Sequence, residues 1–387
     1  MVDVEFLDDD YSGEIDIDVD TLTALGFGLI NAILEHEPTD TIKIWIDQGA
    51  PLWFQDEDGT SPLHAAAYVQ NSQLVKLLID EGAVWNAVDN LENTAGDIAL
   101  SWNDGASYNL IRDAGIRSEM LLSLLSSKSS LKDTPSSLIL RQTDGSAAGS
   151  SDAFLSSELR FTTDERGQDI CIVKADEDEV GVMMGWERDI MRETVQRMST
   201  QENLEKGLKV MNVGFGLGII DSMFQSMPTP PSIHVIIEPH PDVLKFMKAK
   251  GWHEKKGVII VEGKWQDAIG DPRILGIGGF DAVYTDTFSE SYEDLHTFFK
   301  HVPGLLSGPT SIFSFFNGLG ATNALFYDVY TRLSDMHLSE VGLEVEWDDV
   351  DVNMYNKDGD GAERWGQTRQ YFTLPTYRLP CARMKHL

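Results

Sequence analysis

Leu208-Lys209-Val210-Met211-Asn212-Val213 runs directly into Gly214-Phe215-Gly216-Leu217-Gly218, and Ile219-Ile220-Asp221-Ser222-Met223-Phe224 follows. The first stretch has the composition of a strand and the last that of a helix. A glycine-rich turn between them lets a ligand approach the backbone and meet the N–H groups of the helix N-terminus. Ile233-His234-Val235-Ile236-Ile237 is a second strand ending at Glu238, 20 residues after Gly218. An acid there accepts hydrogen bonds from both ribose hydroxyls of an adenosine. A third strand, Gly257-Val258-Ile259-Ile260-Val261-Glu262, leads to Gly263-Lys264-Trp265-Gln266-Asp267, with a Trp and polar groups where an adenine ring would lie. A fourth, Phe280-Asp281-Ala282-Val283-Tyr284, leads to Thr285-Asp286-Thr287-Phe288. Strands alternating with helices predict a parallel sheet covered on both faces. Leu343-Glu344-Val345-Glu346-Trp347 and Tyr371-Phe372-Thr373-Leu374 suit a terminal antiparallel pair.

The glycine spacing selects the ligand. A dinucleotide fingerprint requires glycine where this chain has Ile219, which disfavours a nicotinamide dehydrogenase. G-x-G-x-G is the loop of methyltransferases that use S-adenosyl-L-methionine. The expected fold class is therefore α/β: a class I methyltransferase, Rossmann-like sheet with a terminal antiparallel strand pair.

Two acids stand out. If residues 186–198 form a helix, Ile190, Met191, Thr194, Val195 and Met198 share an apolar arc, and Glu187 falls near its middle. An inward carboxylate is costly unless paired or hydrogen-bonded. A helix cap or a buried ion pair would explain it, and so would a role in the site. Asp286 follows the fourth strand at its carboxyl end, the edge where open α/β sheets bind ligands, although it could equally cap the next helix.

Upstream, Gly49, Gly82 and Gly115 recur at a spacing of 33, which also aligns Asp56 with Asp89 and Thr60-Ser61 with Asn93-Thr94. That is the ankyrin period, and Gly59-Thr60-Ser61-Pro62-Leu63-His64-Ala65-Ala66 resembles the ankyrin turn and first helix. Leu74 to Ala83 reads as the second helix, with Gly82 as its C-cap. The expected organisation is an acidic arm over 1–20, a small all-α ankyrin-like repeat domain over 21–122, a Ser/Gly-rich linker over 123–151, and the methyltransferase domain over 152–387.

The 387 residues carry 63 acidic and 30 basic side chains, for a net charge of −33. Such a surface repels phosphate backbones, so direct nucleic-acid binding is not expected, while a basic protein would be attracted. No apolar run of about 18 residues is present, so no membrane span is expected. The start Met1-Val2-Asp3-Val4-Glu5 is unlike a secretory signal. The two cysteines, Cys171 and Cys381, cannot form a disulfide scaffold and point to an intracellular protein. The nine histidines show no metal-ligand spacing, and no metal is expected.

Val182-Met183-Met184-Gly185-Trp186-Glu187, Asn212-Val213-Gly214-Phe215-Gly216-Leu217-Gly218, Ile237-Glu238-Pro239-His240, Glu262-Gly263-Lys264-Trp265-Gln266 and Tyr284-Thr285-Asp286-Thr287-Phe288 resemble guanidinoacetate N-methyltransferase. With the N-terminal repeats, the whole chain resembles the fungal type IV protein arginine N-methyltransferases, which methylate the internal, delta nitrogen of an arginine side chain. The resemblance implies that Glu187 and Asp286 face a guanidino group. It also implies that Met183, Val213, Gly214, Phe215, Gly216, Leu217, Gly218, Glu238, Pro239, His240, Trp265, Gln266 and Asp286 contact S-adenosyl-L-methionine, with Phe154 over the cofactor. It further implies a basic, arginine-containing acceptor such as a large-subunit ribosomal protein, action in cytoplasm and nucleus, and repeats whose partner is unknown. Asn212 departs from the acid usual before the glycine loop, and Phe288 from the Tyr of the small-molecule enzyme. A methyltransferase for a free guanidino metabolite and a catalytically silent ankyrin scaffold are the alternative readings.

Overall fold

Ser61 and Thr94 stand at equivalent positions of the 33-residue period, and each caps a helix in the computed structural model. The Ser61 hydroxyl accepts from His64 N, and the His64 ring accepts from Ser61 N. Thr94 exchanges the same pair of bonds with Asp97. Asp56 and Asp89 hold the preceding turns by accepting from Thr60 N and Asn93 N, each at 2.8 Å. Gln55 donates to Val88 O, and Asn90 to Glu57 O, so one turn is stitched to the next. These local bonds explain why the repeat period survives as structure.

Residues 19–129, 146–163, 167–175, 178–199, 207–352 and 370–385 are described. The chain divides into two compact units, Met1–Arg117 and Ser118–Leu387. The first holds α1 (Val19–Leu34), α2 (Thr39–Asp47), α3 (Pro62–Tyr68), α4 (Ser72–Asp80), α5 (Ala95–Ser101) and the start of α6 (Gly105–Ser129). Leu29, Ile33, Ala65, Ala66, Leu74, Leu78 and Ala99 form its buried interior.

Two expected boundaries move. Val19 and Asp20, read as the end of an acidic arm, start α1, and residues 1–18 lie outside the described residues. The expected linker begins as helix, because α6 continues to Ser129 through a leucine-containing stretch whose serines cost little in a helix. Residues 130–145 of that segment lie outside the described residues.

Beyond the end of α6, the second unit holds α7 (Ser151–Ser156) and a three-stranded antiparallel sheet of β1 (Leu159–Thr163), β2 (Asp169–Ala175) and β3 (Asp178–Met183). After α8 (Arg188–Met198) the chain builds β4 (Lys209–Val213), α9 (Ile219–Gln225), β5 (Ile233–Glu238), α10 (Pro241–Ala249), β6 (Val258–Glu262) and α11 (Trp265–Ala268). It continues through β7 (Ala282–Thr285), α12 (Tyr292–Phe299), β8 (Ile312–Phe315), α13 (Ala324–Glu340), β9 (Leu343–Asp351) and β10 (Thr376–Met384). Among the described residues, seven strands form one sheet in the order β6-β5-β4-β7-β8-β10-β9. The pairs among the first five are parallel, and those of β10 are antiparallel.

The central strands are apolar on both faces because helices cover both. Val210, Ala282, Tyr284 and Ile312 pack with Ile190, Met191 and Phe224 on one side, while Met211, Val213, Val235 and Val283 pack with Phe298, Phe299 and Trp265 on the other.

The terminal pair exists, but one partner differs from expectation. β9 is registered with β10 from Leu343↔Met384 to Asp351↔Thr376. Tyr371-Phe372-Thr373-Leu374, expected as the strand, lies ahead of Pro375 in a non-strand segment. Phe372 is fully buried there, beside the rings of Trp186 and Tyr327, so this stretch is apolar because it packs.

Candidate active site

The glycine loop is closely packed against the neighbouring strand ends. Gly214 N donates to Ile237 O and Asp286 N to Val213 O, both at 2.9 Å, which draws the ends of β5, β4 and β7 together. Gly214 has φ +90, and a Cβ there would lie 2.0 Å from Asp286 O, so only glycine fits. On its other side Gly216 abuts the Met183 side chain, and Leu217 N points at the Met183 sulfur at 3.3 Å.

Above these strand ends opens a cleft of about 790 Å³. Val213, Gly214, Gly216, Met183, Glu238 and Pro239 line one region of it. Trp265, Gln266, Phe154, Glu187 and Asp286 also line it. Four residues expected at the cofactor do not line it. The Phe215 ring is fully buried against Trp252, and Leu217 packs into the hydrophobic core. Gly218, left-handed at φ +67, starts α9. His240 is an N-cap: its Nδ1 accepts from Asp242 N, and its Nε2 is bonded to Phe154 O at 3.0 Å. Their contribution is to shape the loop and hold α7 in place.

Glu238, at the end of β5, is 4 % exposed and is held by two backbone N–H groups, Phe215 N at 2.8 Å and His240 N at 2.7 Å. Burial raises its pKa to about 7 against these donors. Trp265 is turned partly into the core, edge-on to Phe298, with its Nε1–H donating to Glu290 at 2.8 Å. Gln266 and Thr287 donate to the same carboxylate. Phe154 stacks at a tilt against Phe288, with ring centres 4.8 Å apart, and Lys264 pairs with Asp152 of the same helix at 2.7 Å. The first turn of α7 is thus fastened over the strand ends.

Glu187 is the last residue of a 3-10 turn, Gly185–Glu187, and immediately precedes α8. The expected arc of Ile190, Met191, Thr194, Val195 and Met198 is buried. Glu187 itself is 2 % exposed, with Oε1 accepting from Met184 N at 3.1 Å and from the Tyr371 hydroxyl. Asp286 is half-buried because it opens on the cleft, but its carboxyl lies deep enough for burial to push its pKa up. Glu187 is raised as well, first by burial and then by the negative charge of Asp286. Among the described residues, neither acid has an ion-pair partner. Two acids that repel each other, with no cation between them, form a receptor for a cation.

Asn212 is enclosed beneath the loop. Its Nδ2 donates to Gly214 O and to Asp221 Oδ2, both at 2.8 Å, and Asp221 Oδ1 meets His234 Nε2 at 2.9 Å. An acid at 212 would face Asp221, and the amide removes that repulsion. Tyr371 and Glu290 were not found by sequence reasoning. Glu290 could have been noticed, being close behind the fourth strand, whereas Tyr371 lay in a misassigned segment.

A glycine cradle, a buried acid at the next strand end and a cation-receptive acid pair on this sheet define a methyltransferase. Residues 176–344 match a family model described as guanidinoacetate N-methyltransferase, and residues 29–119 match ankyrin repeats (3 copies). The chain is 40% identical over 382 residues to a protein arginine N-methyltransferase 2 of Cryptococcus neoformans, covering 94% of this chain and 96% of that one. Proteins of the same name from Emericella nidulans (37% over 348 residues, 80% and 76% covered) and Candida glabrata (33% over 359 residues, 83% and 84% covered) are also similar. The chain belongs to the protein arginine N-methyltransferase 2 family.

Proposed function

We propose that this enzyme transfers a methyl group from S-adenosyl-L-methionine to the internal, delta nitrogen of an arginine in a basic protein, with Glu187 and Asp286 holding the guanidinium. The observation that carries the reading is the acid pair, for which no counter-ion is present among the described residues. The fit of the cofactor rests on the Gly214 position, which no side chain could share, and on the buried Glu238 carboxylate at the ribose-binding strand end. Gly214, Gly216, Glu238, Pro239 and Met183 would hold it. When bound, S-adenosyl-L-methionine supplies an electrophilic methyl group on a sulfonium.

The chain's own residues do the rest. A guanidinium is planar and delocalised, so its nitrogens are weak nucleophiles. Two carboxylates gripping the two terminal nitrogens localise positive charge there and leave the internal nitrogen as the free one. Tyr371 and Met184 N fix the rotamer of Glu187, and the Gly214 contact fixes the backbone of Asp286. Orientation is therefore built before the substrate arrives. As the internal nitrogen gains the methyl group it gives up its own N–H proton, which passes through water in the cleft to one of the two carboxylates, and the product remains a guanidinium.

The acidic surface would draw in a basic acceptor, of which a large-subunit ribosomal protein is the type the resemblance supports, in the cytoplasm and nucleus. Incubating the enzyme with labelled S-adenosyl-L-methionine and substrate-depleted cell extract, then fragmenting the labelled peptide, tests the reading. A mono-methyl mark on the internal arginine nitrogen is expected. Label on a terminal nitrogen, or only on free guanidino metabolites, would overturn it.

A further inference from the structure

Away from the cleft, the fold brings together two histidines that the sequence keeps apart. His296 of α12 and His337 of α13 stack with ring centres 3.8 Å apart and planes 8° from parallel. Glu340 follows His337 at i+3 on the same helix face. One nitrogen from each ring and one Glu340 oxygen lie within 4.8 Å of one another. The spacing of the histidines gave no sign of this, because the ligand atoms come from different helices.

Two imidazoles can also stack for packing alone, so two further features matter. A cavity of about 40 Å³ opens at the pair, and Glu119, Glu293 and Tyr292 line it together with both rings. It has room for an ion or a water. The Nδ1 of His337 is bonded to the Tyr292 hydroxyl at 2.9 Å, and Tyr292 is bonded in turn to Ser334. A histidine engaged through Nδ1 presents Nε2 in a fixed direction, which is how outer hydrogen bonds orient a metal-bound imidazole. Lys300 is the opposing charge felt by both rings, and three glutamates outnumber it.

We propose that His296, His337 and Glu340 bind a divalent transition-metal ion of the zinc type, with water or a cavity acid in the fourth position. Mixed imidazole and carboxylate donors suit zinc, and ligand bonds of about 2.0–2.2 Å require the stacked rings to turn until their nitrogens converge and the exposed Glu340 to close in. Neither histidine lines the active-site cleft, so the role is structural. The ion would clamp α12 to α13, and α12 is entered directly from the segment carrying Asp286, Phe288 and Glu290.

The test is calorimetric titration of zinc chloride into the untagged, chelator-treated full chain, with cobalt(II) absorption as a second readout. One ion per chain is expected with a Kd below about 1 µM, together with the visible bands of four-coordinate cobalt. His296→Gln and Glu340→Gln alter side chains at the surface side of the cluster, and each should weaken binding at least about tenfold. Absence of saturable uptake, or variants that bind as the native chain does, would overturn the site and leave the ion to the general acidic surface.

Discussion

A carboxylate buried opposite another carboxylate carries a cost that no cation among the described residues offsets, and this defines Glu187 and Asp286. Glu187→Gln keeps an oxygen that can accept from Met184 N and Tyr371, but removes the charge. It should stabilise the protein by about 1 kcal/mol while disabling it, a trade common at strained sites. The pH dependence follows from the same shifts. Glu187, Asp286 and Glu238 all hold protons more tightly in the folded than in the unfolded chain. Well below the ordinary values of 3.8 for Asp286 and 4.5 for the two glutamates, both states are protonated and no stability is lost. As the pH rises towards 8, the unfolded state releases protons first and stability falls. Thermal melts across that window should show the decline, and Glu187→Gln should flatten it in part, because Glu238 still contributes. A profile rising over the same window would contradict the raised values. At this scale the sequence was informative: an acid at the middle of an apolar arc marks Glu187 without coordinates. Tyr371 was hidden because its role depends on a contact with a residue 184 positions away.

At the scale of elements, the loop after β4 is specified by close approach rather than by flexibility. Gly214→Ala should destabilise the chain by about 2 kcal/mol or more and weaken cofactor binding at least tenfold, as read by melts and calorimetry. The obstruction is Asp286 O, a backbone atom that cannot swing aside. A silent Gly214→Ala variant would show that the strand ends are looser than described. Parallel strands were legible because burial on both faces leaves continuous apolar runs. The final strand was not, because Pro380 sits in the middle of β10 opposite Trp347, and proline ordinarily argues against a central strand. Tyr371-Phe372 carried the aromatic signal instead, and spends it on packing.

For the whole molecule, composition and period carried the organisation. The repeat period was readable because capping bonds and turn acids recur at it, whereas the unit boundary was not. α6 runs across the division at Arg117 and into the Ser-rich stretch, where composition alone suggests a linker. The net charge of −33 makes a further prediction. Raising salt from about 50 to 500 mM should weaken capture of a basic protein acceptor much more than cofactor binding, because exposed surface charges are screened more strongly than buried groups such as Glu238. Equal sensitivity in the two titrations would remove electrostatic steering.

The most direct measurement compares methyl transfer to an arginine-bearing protein acceptor with cofactor affinity in Glu187→Gln and in Asp286→Asn. Transfer at least about a hundredfold slower, with S-adenosyl-L-methionine affinity within about threefold of the native enzyme, is the predicted result. Near-native transfer by both variants would contradict the guanidinium clamp.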